Sequence, residues 1–294
     1  MKSKIAIIIP TYNREKVIAR TLDSVLAQRF EDWECFVVDD HSTDSTWSVL
    51  EEYASKYSKI HIYKNERAKG ACGARNTGIY KSESELVQFF DSDDEMYPDL
   101  LLDLYNQLSE DVDVVTCWTN VVDVNSKEIL KTFENITEGN IHSQLMTEKT
   151  YVDTNCALIR RKVIKKIGGW SEDCPSYQEW DFHLKLSKVA RYKTHRRHLI
   201  NYNVGGADTI SKSLPKYVAG RLYILNKNKA EFVSKHLASY IKKLVTVYYM
   251  IKKGDNSAEK IKLLNMFTEK TDLLSRLIVK CMYVPYCVLN YGRK

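Results

Sequence analysis

Glu85-Leu-Val-Gln-Phe-Phe-Asp-Ser-Asp-Asp-Glu95 is an apolar strand pattern that ends in a cluster of carboxylates. Leu86 to Phe90 is rich in strand-forming residues, which predicts a buried strand that reaches the surface at Asp91, Asp93 and Asp94. Carboxylates this close repel one another, and they are most stable when Mg²⁺ or Mn²⁺ bridges them to phosphate oxygens. The alternative is a turn that caps the helix after Pro98. An EF-hand loop is excluded, because the Gly at its sixth position and the Glu at its twelfth are absent.

Strand and helix patterns alternate four times up to this stretch. The predicted strands are Lys4 to Pro10, Trp33 to Val38, Ile60 to Tyr63 and Leu86 to Phe90. Apolar residues recur at helical spacing from Val17 to Leu26 and from Trp47 to Tyr57, and the small residues of Gly70 to Gly78 predict a third helix that approaches a ligand closely. This order predicts a parallel sheet covered by helices on both faces, with ligands at the carboxyl ends of its strands.

Polar residues follow these strands where ligands are expected. Thr11, Tyr12 and Asn13 come after the first strand, and Asp39 and Asp40 end the second. Such repetition favours one composite binding site over several unrelated capping turns.

The second half of the chain has a mixed pattern. After a predicted helix from Pro98 to Leu108 and a strand from Val112 to Trp118, Ile167 to Ser171 predicts a tight turn that presents Trp170, either to the core or to a sugar. Tyr177 to Lys185 predicts a helix with Glu179 near its start. From about Pro215 onward the pattern is helical, with a break at Gly254 to Ser257.

Charge is distributed unevenly along the 294 residues, a length that suits either one large α/β domain with an appendage or two smaller domains. Residues 1–181 hold 21 Lys and Arg against 32 Asp and Glu, whereas residues 182–294 hold 23 against 6. The basic residues of the second part alternate with apolar ones in amphipathic stretches. This pattern favours an anionic lipid surface over nucleic acid.

Cysteine usage and hydropathy bear on the compartment. Seven scattered cysteines without a CxxC pair argue for a reducing compartment and against a disulfide framework or a zinc site. The first residues run into a strand without a signal-peptide cleavage region, and no apolar run approaches the roughly 20 residues of a spanning helix. We expect a cytoplasmic protein, at most peripheral on the inner face of the cell membrane. The apolar segment Leu277 to Leu289 either lies in the membrane interface or packs on the rest of the fold.

Six motifs in a fixed order carry a family resemblance over roughly residues 4–211. They are Pro10-Thr-Tyr-Asn13, Val38-Asp-Asp-His-Ser-Thr-Asp44, Gly73-Ala-Arg-Asn-Thr-Gly78, Phe90-Asp-Ser-Asp-Asp94, Gly168-Gly-Trp170 and Gln178-Glu-Trp-Asp181. With these motifs the chain resembles the inverting glycosyltransferases of family 2. The resemblance implies a GT-A fold, an α/β class with a Rossmann-like, mostly parallel sheet flanked by helices. We expect a catalytic domain at residues 1–212, with a nucleotide-binding part (1–97) and an acceptor-binding part (98–212), followed by a helical, basic region at 213–294.

The resemblance also implies a role for each matching position. The implied donor-binding residues are Pro10, Thr11, Tyr12, Asp40, Arg75, Asp91 and Ser92. Among them Tyr12 stacks on uracil, Asp40 accepts the N–H of the base, and Asp91 contacts the ribose. Asp93, together with Asp94, binds Mn²⁺ or Mg²⁺. Trp170 and Trp180 are expected to contact the acceptor.

The resemblance places the general base at Glu179, where the family usually has Asp. Loss of a nucleoside diphosphate loads negative charge onto the leaving group, which a metal and Arg75 offset. Attack by a deprotonated hydroxyl then inverts the anomeric carbon, because no enzyme nucleophile intervenes. Asp181 is the rival base, but a spacing of two points it to another face of the helix. The family often has a His near the position of Gly205, so a metal or phosphate contact there is in doubt, and Asp208 has no assigned role.

The predicted function is transfer of a hexosyl or N-acetylhexosaminyl group from a UDP-sugar to a glycan or lipid-linked glycan in surface polysaccharide biosynthesis. The basic C-terminal region suits a peripheral contact with an anionic membrane. A receiver-like signalling module that binds Mg²⁺ without turnover is the alternative, although a receiver needs only about 120 residues and leaves Glu179 unexplained. A nicotinamide enzyme is less favoured, because G-x-G-x-x-G is absent after the first strand. No nucleic-acid partner is expected.

Overall fold

The computed structural model describes residues 3–205, 213–254 and 257–291. They form two compact units. The first contains residues 3–172 and 182–205, and the second contains residues 173–181, 213–254 and 257–291. Asp208, which has no assigned role, lies outside the described residues.

A single nine-stranded sheet forms the centre of the first unit. Its strands are β1 (Ile5–Thr11), β2 (Trp33–Asp39), β3 (Ile60–Lys64), β4 (Leu86–Phe89), β5 (Glu95–Met96), β6 (Val114–Asp123), β7 (Ile129–Phe133), β8 (Ala157–Arg160) and β9 (Tyr192–Val204). The strand order is β3-β2-β1-β4-β8-β6-β9-β5, and β7 pairs with β6. The first four strands in sequence are parallel to one another, as predicted. Beyond β4 the sheet is mixed, because β8 runs antiparallel to both β4 and β6 while β6 and β9 are parallel.

Helices flank this sheet. They are α1 (Ile18–Leu26), α2 (Thr46–Lys56), α3 (Ala71–Lys81), α4 (Leu100–Asn106), α5 (His142–Thr147), α6 (Arg161–Ile167) and α7 (Gln178–Leu186), the last of which crosses from the second unit into the first. All seven residues of β1 are buried, which explains its continuous apolar sequence. Helix α3 packs closely on β1, since a Cβ at Gly78 would lie 2.4 Å from Cγ2 of Ile8. Close packing against the sheet therefore explains why the predicted small-residue helix has a glycine at position 78.

Predictions for the second half of the first unit were less complete. The helix predicted from Pro98 is α4, which begins at Leu100, so the acidic cluster does not cap it. The predicted turn is present, because Gly168 and Gly169 have φ values of +72° and +75°. The strand predicted to end at Trp118 continues to Asp123 as β6. Strands β5, β7, β8 and β9 were not predicted.

The second unit is helical, which confirms the predicted C-terminal extension. Its helices are α8 (Leu214–Lys227), α9 (Lys229–Lys235), α10 (Leu237–Lys253), α11 (Ser257–Lys270) and α12 (Leu273–Tyr291). Helix α10 ends at the predicted break beside Gly254. The apolar segment from Leu277 to Leu289 lies within α12. None of the helices in the described parts of the chain combines the length and the apolar character needed to cross a bilayer.

Candidate functional site

The carboxyl ends of β1 and β2 bring several predicted donor-binding residues together. Pro10 and Thr11 end β1 beside Val38 and Asp39 of β2, and the Asp40 N–H donates to the Thr11 carbonyl at 2.8 Å. Thr11 is buried, and its hydroxyl has no hydrogen-bond partner among the residues that the structure describes. The ring of Tyr12 is exposed. This edge of the sheet therefore offers a partly exposed aromatic ring, with Lys69 Nζ 5.2 Å from its centre, beside a buried hydroxyl.

Asp40 links this edge to the start of α3. Its buried carboxylate accepts hydrogen bonds from Asn65 Nδ2 at 2.6 Å and from the Gly70 N–H at 2.8 Å. Gly70 directly precedes α3 and has a φ of +117°, a conformation that favours glycine. The predicted contact of Asp40 with a uracil N–H would therefore share an oxygen that already accepts a protein hydrogen bond.

Arg75 joins α3 to the acidic cluster. It is buried, and its Nη2 donates to the Asp91 carboxylate at 2.8 Å. Its guanidinium lies 4.5 Å from the ring centre of Trp170, which stacks on Phe182 at a centroid distance of 4.1 Å. Trp170 is buried in this cluster. In this structure Trp170 supports Arg75 from the core and has no exposed ring face for the predicted acceptor contact.

The acidic loop, residues 91–94, alternates between outward and inward side chains. The carboxylates of Asp91 and Asp93 are 30% and 41% exposed. Ser92 and Asp94 are only 6% and 1% exposed. The loop thus presents two carboxylates outward, whereas Ser92, predicted to bind the donor, and Asp94, predicted to bind metal, are turned inward.

Asp93 is the more exposed of the two outward carboxylates. It lies 3.3 Å from the guanidinium of Arg14, and its main-chain carbonyl accepts a hydrogen bond from Arg20 at 2.7 Å. Partial burial and the neighbouring Asp91 raise the pKa of Asp93, whereas Arg14 opposes the rise. A bound cation would relieve this repulsion.

Asp94 is held on both carboxylate oxygens. Asn155 Nδ2 donates to one at 2.5 Å, and the N–H of Asn203 donates to the other at 2.8 Å. Burial, Asp93 and Asp91 raise the pKa of Asp94 well above its usual range. Both oxygens of Asp94, the second predicted metal ligand, are thus buried and accept protein hydrogen bonds, whereas Asp91 and Asp93 are partly exposed.

The carboxylates of the acidic loop suit a metal ion that also binds a phosphate ligand. Within residues 3–205, 213–254 and 257–291, no three His, Cys, Asp or Glu side chains converge as a complete metal cage. Mg²⁺ commonly binds through one or two carboxylates together with substrate phosphates. Asp91 and Asp93 supply two such carboxylates, so these residues fit a cation that arrives with a diphosphate.

The remaining predicted residues lie at the start of α7, in the second unit. Glu179 is half-buried in the first turn of that helix. The Arg221 guanidinium lies 5.0 Å from the ring centre of Trp180, and Lys243 Nζ lies 5.5 Å from it. Asp181 is buried and pairs with Lys227 at 2.8 Å. Trp180 therefore packs among cations contributed by α8 and α10, and Asp181 is joined to α8.

The family His has no counterpart at Gly205. Gly205 has a φ of +87°, and a Cβ there would lie 2.8 Å from the Asp123 carboxylate. The nearby His195 and His198 instead lie 3.3 Å from Asp103 and 3.2 Å from Glu134.

Sequence reasoning missed several residues that shape the site. Asn155 and Asn203 reach the acidic loop from the segment before β8 and from β9, and no local motif marks either. Arg14 directly follows the first motif, and its charge next to that motif was an available signal.

Comparisons with known proteins agree on family and fold. The model for "Glycosyl transferase family 2" matches residues 6–168, more than half of the chain. The UDP-Glc:alpha-D-GlcNAc-diphosphoundecaprenol beta-1,3-glucosyltransferase WfgD of Escherichia coli is 42% identical over 90 residues, 31% of this chain. The match spans only 35% of that relative's length.

Two solved structures resemble most of the chain. TarS 1-349 of S. aureus in complex with UDP-GlcNAc has a TM-score of 0.59 and 22% identity, covering 92% of this chain and 72% of that one. The mannosyltransferase PcManGT of Pyrobaculum calidifontis, in complex with GDP-Man and Mn²⁺, has a TM-score of 0.57 and 16% identity, covering 100% and 89%. At these identities the likeness concerns the fold, and it confirms the predicted fold class.

Proposed function

Since the chain belongs to glycosyl transferase family 2, we propose that it transfers a sugar from a nucleotide-sugar to a hydroxyl of a glycan or lipid-linked glycan in cell-surface polysaccharide synthesis. The observation that carries the proposal is the acidic loop, where two outward carboxylates lie beside Arg75 at the carboxyl ends of the parallel strands. Ligands of open α/β sheets bind at such ends.

The donor in this proposal is UDP-linked. Tyr12 offers an exposed ring for stacking on the base, and Thr11 and Asp40 lie beside it with polar atoms for the nucleoside. Support comes from TarS, whose fold this chain shares and which was solved with UDP-GlcNAc, and from WfgD, which is named for UDP-Glc. The name of WfgD also supports a lipid-diphosphate acceptor.

Asp91 and Asp93 would hold Mn²⁺ or Mg²⁺ together with the donor diphosphate. The metal, when bound, supplies Lewis-acid stabilisation of the negative charge on the leaving diphosphate. Arg75 adds a fixed positive charge beside Asp91, held in place by the stacked Trp170. The loop residues thereby favour departure of the nucleoside diphosphate.

Glu179 is the proposed general base. It takes the proton of the acceptor hydroxyl as the oxygen bonds to the anomeric carbon and the bond to the diphosphate breaks, so the configuration inverts. Its rival, Asp181, is buried against Lys227 and therefore poorly placed to take a proton from a substrate. This contrast supports Glu179.

A screen of nucleotide-sugars for Mn²⁺-dependent thermal stabilisation tests the donor and the metal together. A UDP-sugar at about 100 times its Kd should add about 2.7 kcal/mol of stability. Asp93→Asn should lose the Mn²⁺-dependent part, whereas Asp111→Asn, which changes an exposed loop carboxylate, should keep it. Unchanged Mn²⁺-dependent affinity in Asp93→Asn would remove this residue from the metal site.

Turnover separates the two candidate bases. Glu179→Gln should leave donor binding intact and lower kcat by roughly a hundredfold or more. Asp181→Asn should retain most of the turnover. If Asp181→Asn gave the larger loss, the assignment of the base would be wrong.

The alternative, a receiver-like module that binds Mg²⁺, is not favoured. The family model extends over residues 6–168, beyond the roughly 120 residues of a receiver. A receiver also needs neither Glu179 nor the C-terminal helices. Sugar transfer by the wild type in the turnover assay used for Glu179→Gln would rule out a receiver-like module.

A cytoplasmic location with peripheral contact to an anionic membrane completes the proposal. Helix α12 supports it, because Leu273, Leu274 and Leu277 are exposed on one face next to the basic Arg276 and Lys280. An amphipathic helix of this kind lies in the plane of the membrane interface.

A further inference from the structure

Asn155 connects both ends of the acidic loop. It is fully buried in the segment before β8. Its Oδ1 accepts a hydrogen bond from the Asp91 N–H at 2.7 Å, and its Nδ2 donates to the Asp94 carboxylate at 2.5 Å. The Asp91 N–H can only donate, which fixes which end of the amide is the oxygen. One side chain therefore holds the first and the last residue of the loop.

Asn203 of β9 completes this arrangement. Its N–H donates to the second oxygen of Asp94 at 2.8 Å, and its Nδ2 donates to the Asp93 carbonyl at 3.1 Å. The Asp94 carboxylate is thus the point where three distant segments of the chain meet. Because both oxygens of the buried Asp94 carboxylate are bonded in this network, loss of either contact leaves a desolvated polar group, which favours a single geometry.

The network determines which way the loop's carboxylates face. Asn155 and Asn203 hold Asp94 inward, and Asn155 also binds the Asp91 N–H. The turn at Ser92 and Asp93 between these anchored residues leaves the carboxylates of Asp91 and Asp93 partly exposed. We propose that Asn155 is a positioning residue and that Asp94 is its structural counterpart, the two together aiming Asp91 and Asp93 at a cation and diphosphate. The inference rests on the proposed function for the identity of that ligand.

A swap of the two side chains tests the proposal. Asn155→Asp alone places two carboxylates against each other, and Asp94→Asn alone places two amide donors against each other. In the double variant, Asp at 155 accepts from the Asp91 N–H and from the new amide at 94, whose oxygen accepts from the Asn203 N–H. The double variant keeps the net charge and restores all three hydrogen bonds, of which only the one between positions 155 and 94 has its donor and acceptor exchanged.

The readouts are the melting temperature without metal and the ratio of UDP affinity with and without Mn²⁺. Each single variant should melt lower and lose at least about tenfold in that ratio, while the swap should recover both. Thr194→Val is the matched control, because it breaks a buried hydroxyl contact to the Thr137 N–H in the same sheet. The control should lower the melting temperature and leave the ratio unchanged.

The outcomes separate positioning from ligation. If the swap recovers the melting temperature but not the Mn²⁺ ratio, Asp94 acts on the metal directly and the proposal is overturned. Wild-type values in either single variant, or failure of the swap to fold, would also overturn it. If neither single variant folds but the double variant does, the Mn²⁺-dependent ratio of UDP affinity in the double variant decides. A wild-type ratio supports the proposal, and a lower ratio overturns it. A wild-type protein without Mn²⁺-dependent UDP affinity would instead refute the metal role, and the melting temperatures would still report on the contact between Asn155 and Asp94.

Discussion

His183 shows how one buried side chain makes stability depend on pH. It is fully buried, and its Nδ1 lies 3.0 Å from the Tyr192 hydroxyl. Burial lowers the pKa of His183 to about 3. The unfolded chain, with an ordinary histidine pKa near 6.5, therefore binds more protons than the folded chain between about pH 3 and pH 6.5. Stability is lost as the pH falls through this window.

We expect the titration of His183 alone to lower the free energy of unfolding by about 2 kcal/mol between pH 7 and pH 5. His183→Asn keeps a polar group near the Nδ1 position and removes the titration, so its free energy of unfolding should fall less between these pH values. Urea titrations at both pH values measure the difference. His41→Asn, which changes an exposed histidine with a positive φ that asparagine also tolerates, is the control and should follow the wild type. If the free energy of unfolding fell equally in the wild type and in His183→Asn, the prediction would be wrong.

At the scale of residues, the motifs predicted what is close in sequence. Asp91 and Asp93 were recognised because they directly follow a strand, and Thr11 and Asp40 for the same reason. Asn155 was not recognised, because its role arises from a hydrogen bond across 61 residues that leaves no trace in local spacing. The sequence also did not predict the burial of Asp94, because this burial depends on contacts with the distant Asn155 and Asn203.

The contact of helix α3 with strand β1 leads to a prediction at the scale of elements. A Cβ at Gly78 would lie 2.4 Å from Cγ2 of Ile8, closer than van der Waals contact allows. Gly78→Ala should therefore destabilise the protein by about 1–3 kcal/mol in spite of alanine's better helix propensity.

Ile8→Ala removes the methyl group that causes this clash. In that background Gly78→Ala should be neutral or stabilising, which gives a coupling energy of at least about 1 kcal/mol in a double-mutant cycle. Chemical denaturation of the four proteins measures it. Additive effects would mean that α3 moves away from β1 at little cost, and the close-packing argument would be wrong.

Helix α7 is joined to α8 by an ion pair whose two partners differ in burial. The Asp181 carboxylate is 2% exposed and the Lys227 side chain 33%. Lys227→Met removes the cationic partner of the buried carboxylate and should lower the free energy of unfolding by about 2–3 kcal/mol, whereas Asp181→Asn should lower it less because the lysine can reach water. The double variant, Asp181→Asn with Lys227→Met, should recover most of the free energy of unfolding that Lys227→Met loses.

Lys229→Met is a matched control for this pair. Its partner Asp272 is 38% exposed, so loss of the ion pair should cost no more than about 1 kcal/mol. Unfolding monitored on the full chain compares the variants. An equal effect at Lys227 and Lys229 would show that burial of Asp181 does not decide the energy.

Elements with strong periodicity were predicted and others were not. β1, β2 and β4 carry mostly apolar runs because almost all of their residues are buried, whereas β3 at the edge is half-buried. β9 was not predicted, since its exposed Arg196 and Arg197 interrupt the alternation. β5 is only two residues long and exists through its pairing with β9. Such strands depend on distant partners and carry little local signal.

At the scale of the whole molecule, charge and exposed apolar surface coincide in the C-terminal region. Residues 182–294 hold 23 Lys and Arg against 6 Asp and Glu. Leu273, Leu274 and Leu277 of α12 are 65%, 66% and 52% exposed and lie on one face at helical spacing. Basic residues attract the chain to an anionic bilayer, and apolar side chains then insert into its interface.

The full chain should therefore sediment with vesicles that contain phosphatidylglycerol and much less with phosphatidylcholine alone. Raising the salt from 0.1 M to 1 M shortens the Debye length from about 10 Å to 3 Å and should weaken the binding. Leu274→Asp with Leu277→Asp should lower the affinity at least about tenfold, because each buried leucine contributes about 1.5–3 kcal/mol. Ile129→Asp changes an equally exposed apolar residue on β7, in the acidic part of the chain, and should have no effect. If the leucine variant kept its vesicle binding but lost a concentration-dependent self-association, the exposed face of α12 would be a contact between two copies and not a membrane surface.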